Sequence, residues 1–180
     1  SKQQTAYAPF PASVEPGTQN LDGIIEWGMS LDYLSEIGME AIHKHDQELT
    51  HYFLNELQKI QGVILYGPTD MASSLQHKVS VVTFNIGPTQ RNYRDVARAL
   101  NEKGISVRDG CFCAHLLIGK LTGIEEREQE TIVAKICAGE HPEHLGLPGA
   151  VRASFAFYNT PGDAYAAVRA IDEIAQRFDG

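Results

Sequence analysis

The stretch VSVVTFNI, residues 79–86, decides the fold class of this chain because its β-branched residues favour an extended backbone. A shorter apolar run, VILY at 63–66, precedes it. Two further strand-like runs follow, ISVR at 105–108 and VRASFAFY at 151–158. The sequence therefore predicts four strands.

Helical patterns surround these strands. Apolar residues recur at the helical period from Leu21 to a stop at Gly38, and a second stripe runs from Leu49 to Ile60. Later helices are predicted over 91–103, closed by Gly104, over the charged run EEREQE at 125–130, and from Pro161 to Phe178 with Thr160 as the N-cap. This order predicts an α+β fold: a four-stranded, mostly antiparallel sheet with helices packed mainly on one face.

Length and composition narrow the class of protein. A chain of 180 residues suits one compact domain plus an appendage, here a domain over 21–180 and an irregular, proline-rich arm over 1–20. A net charge of −8 with 15 dispersed Lys and Arg residues excludes a nucleic-acid partner, and no apolar window is long enough for a membrane span. Three sparse cysteines indicate reduced thiols and a cytoplasmic protein. The start at Ser1 without a methionine leads us to expect an excised piece of a longer chain.

The segment GISVRDGCFCAH, residues 104–115, carries two of the three cysteines. A zinc site is not expected, since a C-x-C pair at the end of a strand is a poor match to zinc ligand spacing. The available ligands would be Cys111, Cys113, His115, Cys137, His141 and His144. On an extended segment the two neighbouring thiols would also lie too far apart for a relaxed disulfide, and only a tight turn would allow one.

A nucleophilic cysteine is the third interpretation of this segment. Arg108 would favour a thiolate and Gly110 would let the backbone approach a substrate, whereas Asp109 would disfavour ionisation. From the residues alone, a buried core cysteine is favoured and a nucleophile stays open.

Arg152 is the second candidate functional residue. It stands within an apolar strand between Ala150 and Ser154, small residues that leave space for a bound group. A guanidinium in such a setting can hold a carboxylate through two parallel hydrogen bonds. The alternative is an arginine on an edge strand that faces water.

Four segments together resemble, in the correct order, the C-terminal part of the class V aminotransferase-fold enzymes. They are EPGTQN (15–20), VSVVTFNI (79–86), GISVRDGCFCAH (104–115) and VRASFAFYNT (151–160). The resemblance runs from Glu15 to the last helix and is to the cysteine desulfurase and selenocysteine lyase branch; the CFC triplet is similar to that of molybdenum cofactor sulfurase.

This resemblance implies a cytoplasmic, homodimeric enzyme that depends on pyridoxal phosphate, of which the chain is the small domain. The family's Ser-x-His-Lys pattern does not occur here, so its Schiff-base lysine would lie in a preceding large domain. The triplet Gln76-His77-Lys78 opens an apolar strand after a polar loop, where an exposed lysine is ordinary. The fragment alone would be inactive.

The resemblance also implies roles for individual residues. Cys113 matches the catalytic cysteine, Arg152 the arginine that binds the substrate α-carboxylate, and Arg108 the arginine of the family's R-x-G turn, a further substrate-binding position. Thr18 matches the threonine that reaches the cofactor phosphate of the neighbouring subunit. Cys111 falls where many members carry histidine.

The implied reaction removes sulfur from cysteine through a persulfide on Cys113 and releases alanine, with a sulfur-acceptor protein as a further partner. The alternatives are a class V transaminase, lyase or epimerase without a nucleophilic cysteine, or a non-catalytic module that binds a ligand or metal. Asp109 stands where the family usually has a small or hydroxylic residue, and the insert over 116–149 is longer than the shortest members' connection.

Overall fold

The computed structural model describes residues 6–15, 17–70, 79–87, 93–140 and 145–178. It divides the chain into two compact units, Ser1–Ala41 and Ile42–Gly180. The predicted α+β class is confirmed.

The first unit contains helix α1, Leu21–Ile37. The Asn20 side chain caps its start by accepting a hydrogen bond from the Gly23 N–H at 3.2 Å. Gly38 ends it with a positive φ of 93°, which favours glycine, and its N–H donates to the Leu34 carbonyl, so the predicted stop is confirmed. No residue of α1 is buried in the described part of the chain.

The sheet belongs to the second unit. Its strands are β1 (Val63–Tyr66), β2 (Val81–Ile86), β3 (Arg108–Gly110) and β4 (Ala150–Ser154). They are ordered β1-β2-β4-β3 and every neighbouring pair is antiparallel. The last strand in sequence therefore lies inside the sheet.

The main core covers one face of this sheet, which confirms the predicted one-sided packing. Most side chains that helices contribute to this core come from α2 (Met39–Leu57), α3 (Tyr93–Glu102) and α6 (Pro161–Phe178). Buried residues of β2 and β4 complete it: Val82, Phe84, Ile86, Val151 and Ala153. On the other face, Ile118 of the short helix α4 (His115–Leu121) packs against Tyr66 and Ala150.

Two strand predictions were wrong at their ends. The third strand pairs over Arg108–Gly110, not over 105–108, because the Ile105 N–H bonds to the Leu100 carbonyl and completes the end of α3. The fourth strand stops at Ser154 instead of continuing to 158, because Asn159 closes a turn with Ala156 through both backbone and side chain.

The observed bounds of the remaining helices agree more closely with the predicted ones. Thr160 and Asp163 cap α6 reciprocally: the Asp163 N–H donates to Thr160 Oγ1, and the Thr160 N–H donates to Asp163 Oδ2. Helix α2 ends at Leu57, three residues before the predicted Ile60. The predicted exposed helix is α5, Glu126–Cys137, whereas α4 was not predicted. None of the described helices is long and apolar enough to cross a lipid bilayer.

Candidate functional site

Arg152 lies in the middle of β4. It is directly opposite Thr83 on β2 and Arg108 on β3, so it does not lie on an edge strand. Directly opposed residues project from the same face of a sheet, which places both arginines on one face, away from the main core. Arg152 is half-buried and Arg108 is exposed. Two adjacent guanidinium groups repel each other and favour a shared anion between them.

The same face also carries a buried polar network. Asn85 is fully buried, and its side-chain amide donates to Tyr66 Oη at 3.1 Å and to the Gly149 carbonyl at 2.9 Å. Tyr66 is directly opposite Thr83. Burial raises the pKa of Tyr66, although the hydrogen bond from Asn85 opposes this shift, so the phenol stays neutral at physiological pH.

The two cysteines are not on an extended segment, which corrects the geometry assumed from the sequence. The Ala114 N–H donates to the Cys111 carbonyl at 2.8 Å, and the two residues between have φ values of 53° at Phe112 and 57° at Cys113. These features define a tight turn of the I′ kind, which glycine and asparagine usually form. Each non-glycine residue in this conformation costs roughly 1–2 kcal/mol.

Phe112 holds this strained turn in place. The Arg152 guanidinium carbon lies 5.0 Å from the centroid of the Phe112 ring, within the range of a cation–π interaction. The ring also packs against the small cluster formed by Tyr66, Ile118 and Ala150. The arginine predicted to bind carboxylate is therefore in contact with the residue that immediately precedes Cys113.

The thiols of the turn differ in their surroundings. Cys113 is exposed, so the core interpretation is wrong for it. Cys111 is half-buried, and its Sγ lies 3.8 Å from Nε2 of His115, the first residue of α4. All three cysteines are free thiols.

Asp109 lies on the opposite side of β3 from Arg108, because successive residues of a strand face opposite ways. Its position opposite Val151 places it on the face that α3 covers. There it helps to raise the pKa of Tyr93, a shift caused mainly by burial. Asp109 therefore faces away from Arg108, and it precedes Cys113 by four residues in the chain.

Thr18 belongs to the first unit and is exposed. It follows Gly17, whose φ is +81°. An accessible hydroxyl beside such a glycine fits the oxygen atoms of a phosphate ester. The triplet Gln76-His77-Lys78 lies outside the described residues.

Metal ligands do not cluster in the parts of the chain that the structure describes. No group of three or more His, Cys, Asp or Glu residues there could hold a metal ion. Two of the ligands considered from the sequence, His141 and His144, lie outside these parts.

Sequence reasoning assigned neither the His115 contact with Cys111 nor the Phe112 contact with Arg152 to this site. The i, i+4 spacing of Cys111 and His115 was a usable signal for their contact. No sequence signal marked Phe112, because its role depends on a strand 40 residues away in the chain.

Known proteins resemble this chain over most of its length. The family model for Aminotransferase class-V matches residues 1–166. A cysteine desulfurase from Cronobacter sakazakii is 34% identical over 156 residues, which cover 87% of this chain and 30% of that protein. A cysteine desulfurase from Yersinia pestis is 31% identical over 172 residues, covering 96% of this chain and 34% of that protein. The chain thus spans about a third of the length of these curated relatives.

Solved structures of cysteine desulfurases also resemble this chain in fold. The apo structure of a cysteine desulfurase from Thermococcus onnurineus superposes with a TM-score of 0.69 at 27% identity, covering 93% of this chain and 34% of that one. A cysteine desulfurase from Escherichia coli shares the fold with a TM-score of 0.67 at 24% identity and the same coverage. With the sequence, fold and family match in agreement, the chain belongs to the aminotransferase class-V family.

Proposed function

We propose that this chain is the small domain of a pyridoxal-phosphate-dependent cysteine desulfurase, with 1–20 as a junction arm and 21–180 as the domain proper. A large domain would hold the cofactor's lysine. The observation that carries the proposal is the contact of Arg152 with Phe112, which links a carboxylate-binding arginine to the turn that exposes Cys113. Cysteine desulfurase is also the printed description of the relatives that cover most of the chain.

Arg152 and Arg108 bind the substrate. Both guanidinium groups lie on one face of the sheet, where they can receive the α-carboxylate of an amino acid. The Phe112 ring lies 5.0 Å from the guanidinium carbon of Arg152, and the guanidinium N–H groups can donate two parallel hydrogen bonds to a carboxylate. The substrate is thereby oriented with its sulfur toward the turn.

Cys113 carries out the sulfur transfer. Its thiolate attacks the substrate sulfur, a new S–S bond forms and the carbon–sulfur bond breaks. The electron pair of the broken bond stays with the carbon skeleton, which takes up a proton and leaves as alanine, while Cys113 keeps the sulfur as a persulfide.

Thr18 would contact the cofactor phosphate of the neighbouring subunit, which makes the active enzyme a homodimer. Pyridoxal phosphate, when bound, supplies an electron sink for the α carbon of the substrate. The proposal extends to selenocysteine as a second substrate, to a cytoplasmic location and to a protein that accepts the sulfur.

The test is turnover of L-cysteine by the holoenzyme in the presence of a dithiol reductant, which releases the persulfide sulfur as sulfide, with alanine and sulfide both measured. We expect equal amounts of the two products. Cys113→Ser should abolish both, whereas Cys137→Ser, which changes an exposed thiol on α5, should leave the rates unchanged. Arg152→Lys removes the bidentate fork, a loss of roughly 1.5–3 kcal/mol, and should lower kcat/KM about 10- to 150-fold.

Two results would contradict the proposal. Full alanine production by the Cys113→Ser enzyme would remove the nucleophile. Pyruvate in place of alanine would instead identify an eliminating lyase of the same family, and mercaptopyruvate would identify a transaminase.

A further inference from the structure

Cys111 has no role in the desulfuration step, yet it is the cysteine of the turn that has a defined partner. Its Sγ lies 3.8 Å from His115 Nε2, within hydrogen-bonding range for sulfur. A thiol next to an imidazole is the arrangement that activates cysteine nucleophiles, because the ring nitrogen can accept the thiol proton. The structure thus holds a second thiol with its own base two residues before the proposed nucleophile.

The strained turn brings the two cysteines onto one short loop. Its backbone hydrogen bond, from Ala114 to Cys111, closes around Phe112 and Cys113. The loop is held by the Phe112 ring, which leaves one thiol exposed and the other half-buried. Strain that a structure retains at such a place is a reason to look for function.

We propose that Cys111 is a second sulfur carrier, which takes the terminal sulfur of the Cys113 persulfide with His115 as its base. This inference rests on the proposed function, which supplies the persulfide. Nε2 of His115 accepts the Cys111 thiol proton and the thiolate attacks the terminal sulfur. A new S–S bond forms at Cys111, the S–S bond at Cys113 breaks, and its electron pair leaves as the Cys113 thiolate. The sulfur is transferred as a persulfide without any external oxidant or reductant.

Attack on the terminal sulfur suits the turn better than attack on the inner one. In-line displacement at the terminal sulfur keeps the two cysteine Sγ atoms about two S–S bond lengths apart, roughly 4 Å. Attack on the inner sulfur would draw the same atoms to a single bond length of about 2.05 Å and close a small disulfide ring. Transfer through the terminal sulfur therefore requires no disulfide ring to close within the turn.

The relay has a functional consequence. Transfer inward to the half-buried Cys111 regenerates the exposed Cys113 thiolate, which can then take sulfur from a second substrate molecule. The loaded enzyme should therefore hold up to two persulfide sulfurs on each chain.

The experiment locates the persulfide directly. The holoenzyme is mixed with L-cysteine without reductant, quenched with an alkylating reagent after a single turnover and again after many, and digested. Peptide fragmentation between the two cysteines, which Phe112 separates, assigns the sulfur to Cys111 or Cys113. Alanine is measured in the same samples.

In the wild-type enzyme we expect sulfur on Cys111 as well as Cys113, rising toward two sulfurs per chain. Cys111→Ser should stop at one sulfur, all of it on Cys113. His115→Asn should still load Cys113 but slow the appearance of sulfur on Cys111 by at least about 100-fold, the usual contribution of a general base. Cys137→Ser, changed on the exposed helix α5, serves as the matched thiol control and should behave as the wild type.

Two outcomes would overturn the relay, and they are distinguishable from failure of the proposed function. Alanine formation with sulfur confined to Cys113 in the wild type would remove Cys111 as a carrier. Unchanged loading of Cys111 in His115→Asn would remove the base. Absence of alanine and of any persulfide would instead refute the desulfurase assignment, and the relay with it.

Discussion

The strain at Cys113 predicts a reversal of the usual order of alanine and glycine. At an ordinary position, glycine destabilises a protein relative to alanine by roughly 0.5–1 kcal/mol, because it loses more backbone entropy on folding. Cys113 has a φ of 57°, a left-handed conformation that costs a residue with a Cβ roughly 1–2 kcal/mol and costs glycine almost nothing. The side chain is exposed, so truncation removes little packing. Cys113→Gly should therefore be more stable than Cys113→Ala by about 0.5–1 kcal/mol.

Urea unfolding of the two variants, followed by circular dichroism, measures this difference. Ala134→Gly provides the control at an exposed position inside helix α5, where the same change should destabilise the chain by about 1 kcal/mol. Replacing alanine by glycine should thus raise the urea midpoint at position 113 and lower it at position 134. If Cys113→Gly is the less stable of its pair by as much as the helical control, the turn stores no strain and the reasoning fails.

Four other changes test the scaffold by the same unfolding assay. Thr160→Ala removes the N-cap of α6 and should cost about 1 kcal/mol. Hydrogen bonds from the backbone N–H and hydroxyl of Thr160 lower the pKa of Asp163, so its stabilising effect is present above the unfolded pKa near 3.8 and lost as the pH falls through the lower folded value. The stability difference between wild type and Asp163→Asn should therefore be constant at neutral pH and shrink as the pH falls below the unfolded pKa. Gly149→Ala would place a Cβ 2.5 Å from the Tyr93 ring and should cost about 1–3 kcal/mol, and a cost near zero would show that the ring moves aside. Asn85→Leu strips two buried acceptors of their donor and should cost about 1–3 kcal/mol.

Local signals in the sequence were enough to predict most of the scaffold. The apolar run at 63–66 became β1 without change, and 79–86 contains β2. Proline after a capping threonine set the start of α6 at Pro161. These features depend on residues a few positions apart, so periodicity and capping chemistry reveal them.

Contacts between distant residues account for what the sequence could not predict. Cys-Phe-Cys lacks the glycine or asparagine that marks a left-handed turn, so an extended backbone was the natural expectation. The turn instead depends on the contact of Phe112 with Arg152. In the same way, the short β3 and the orientation of Asp109 follow from pairing with β4, which comes more than 35 residues later.

The contact between Arg152 and Phe112 also joins two proposed functions, binding of the substrate carboxylate and presentation of Cys113. Arg152 stands on an internal strand, paired on both sides, so its backbone is fixed by the sheet. Phe112 stands on a turn that its own backbone preferences oppose. A cation–π interaction of about 0.5–2 kcal/mol is comparable with the strain of one left-handed residue. The arginine that would bind the substrate carboxylate therefore also stabilises the geometry that exposes Cys113, and substitutions of Arg152 should disturb the position of the proposed nucleophile as well as the affinity for substrate.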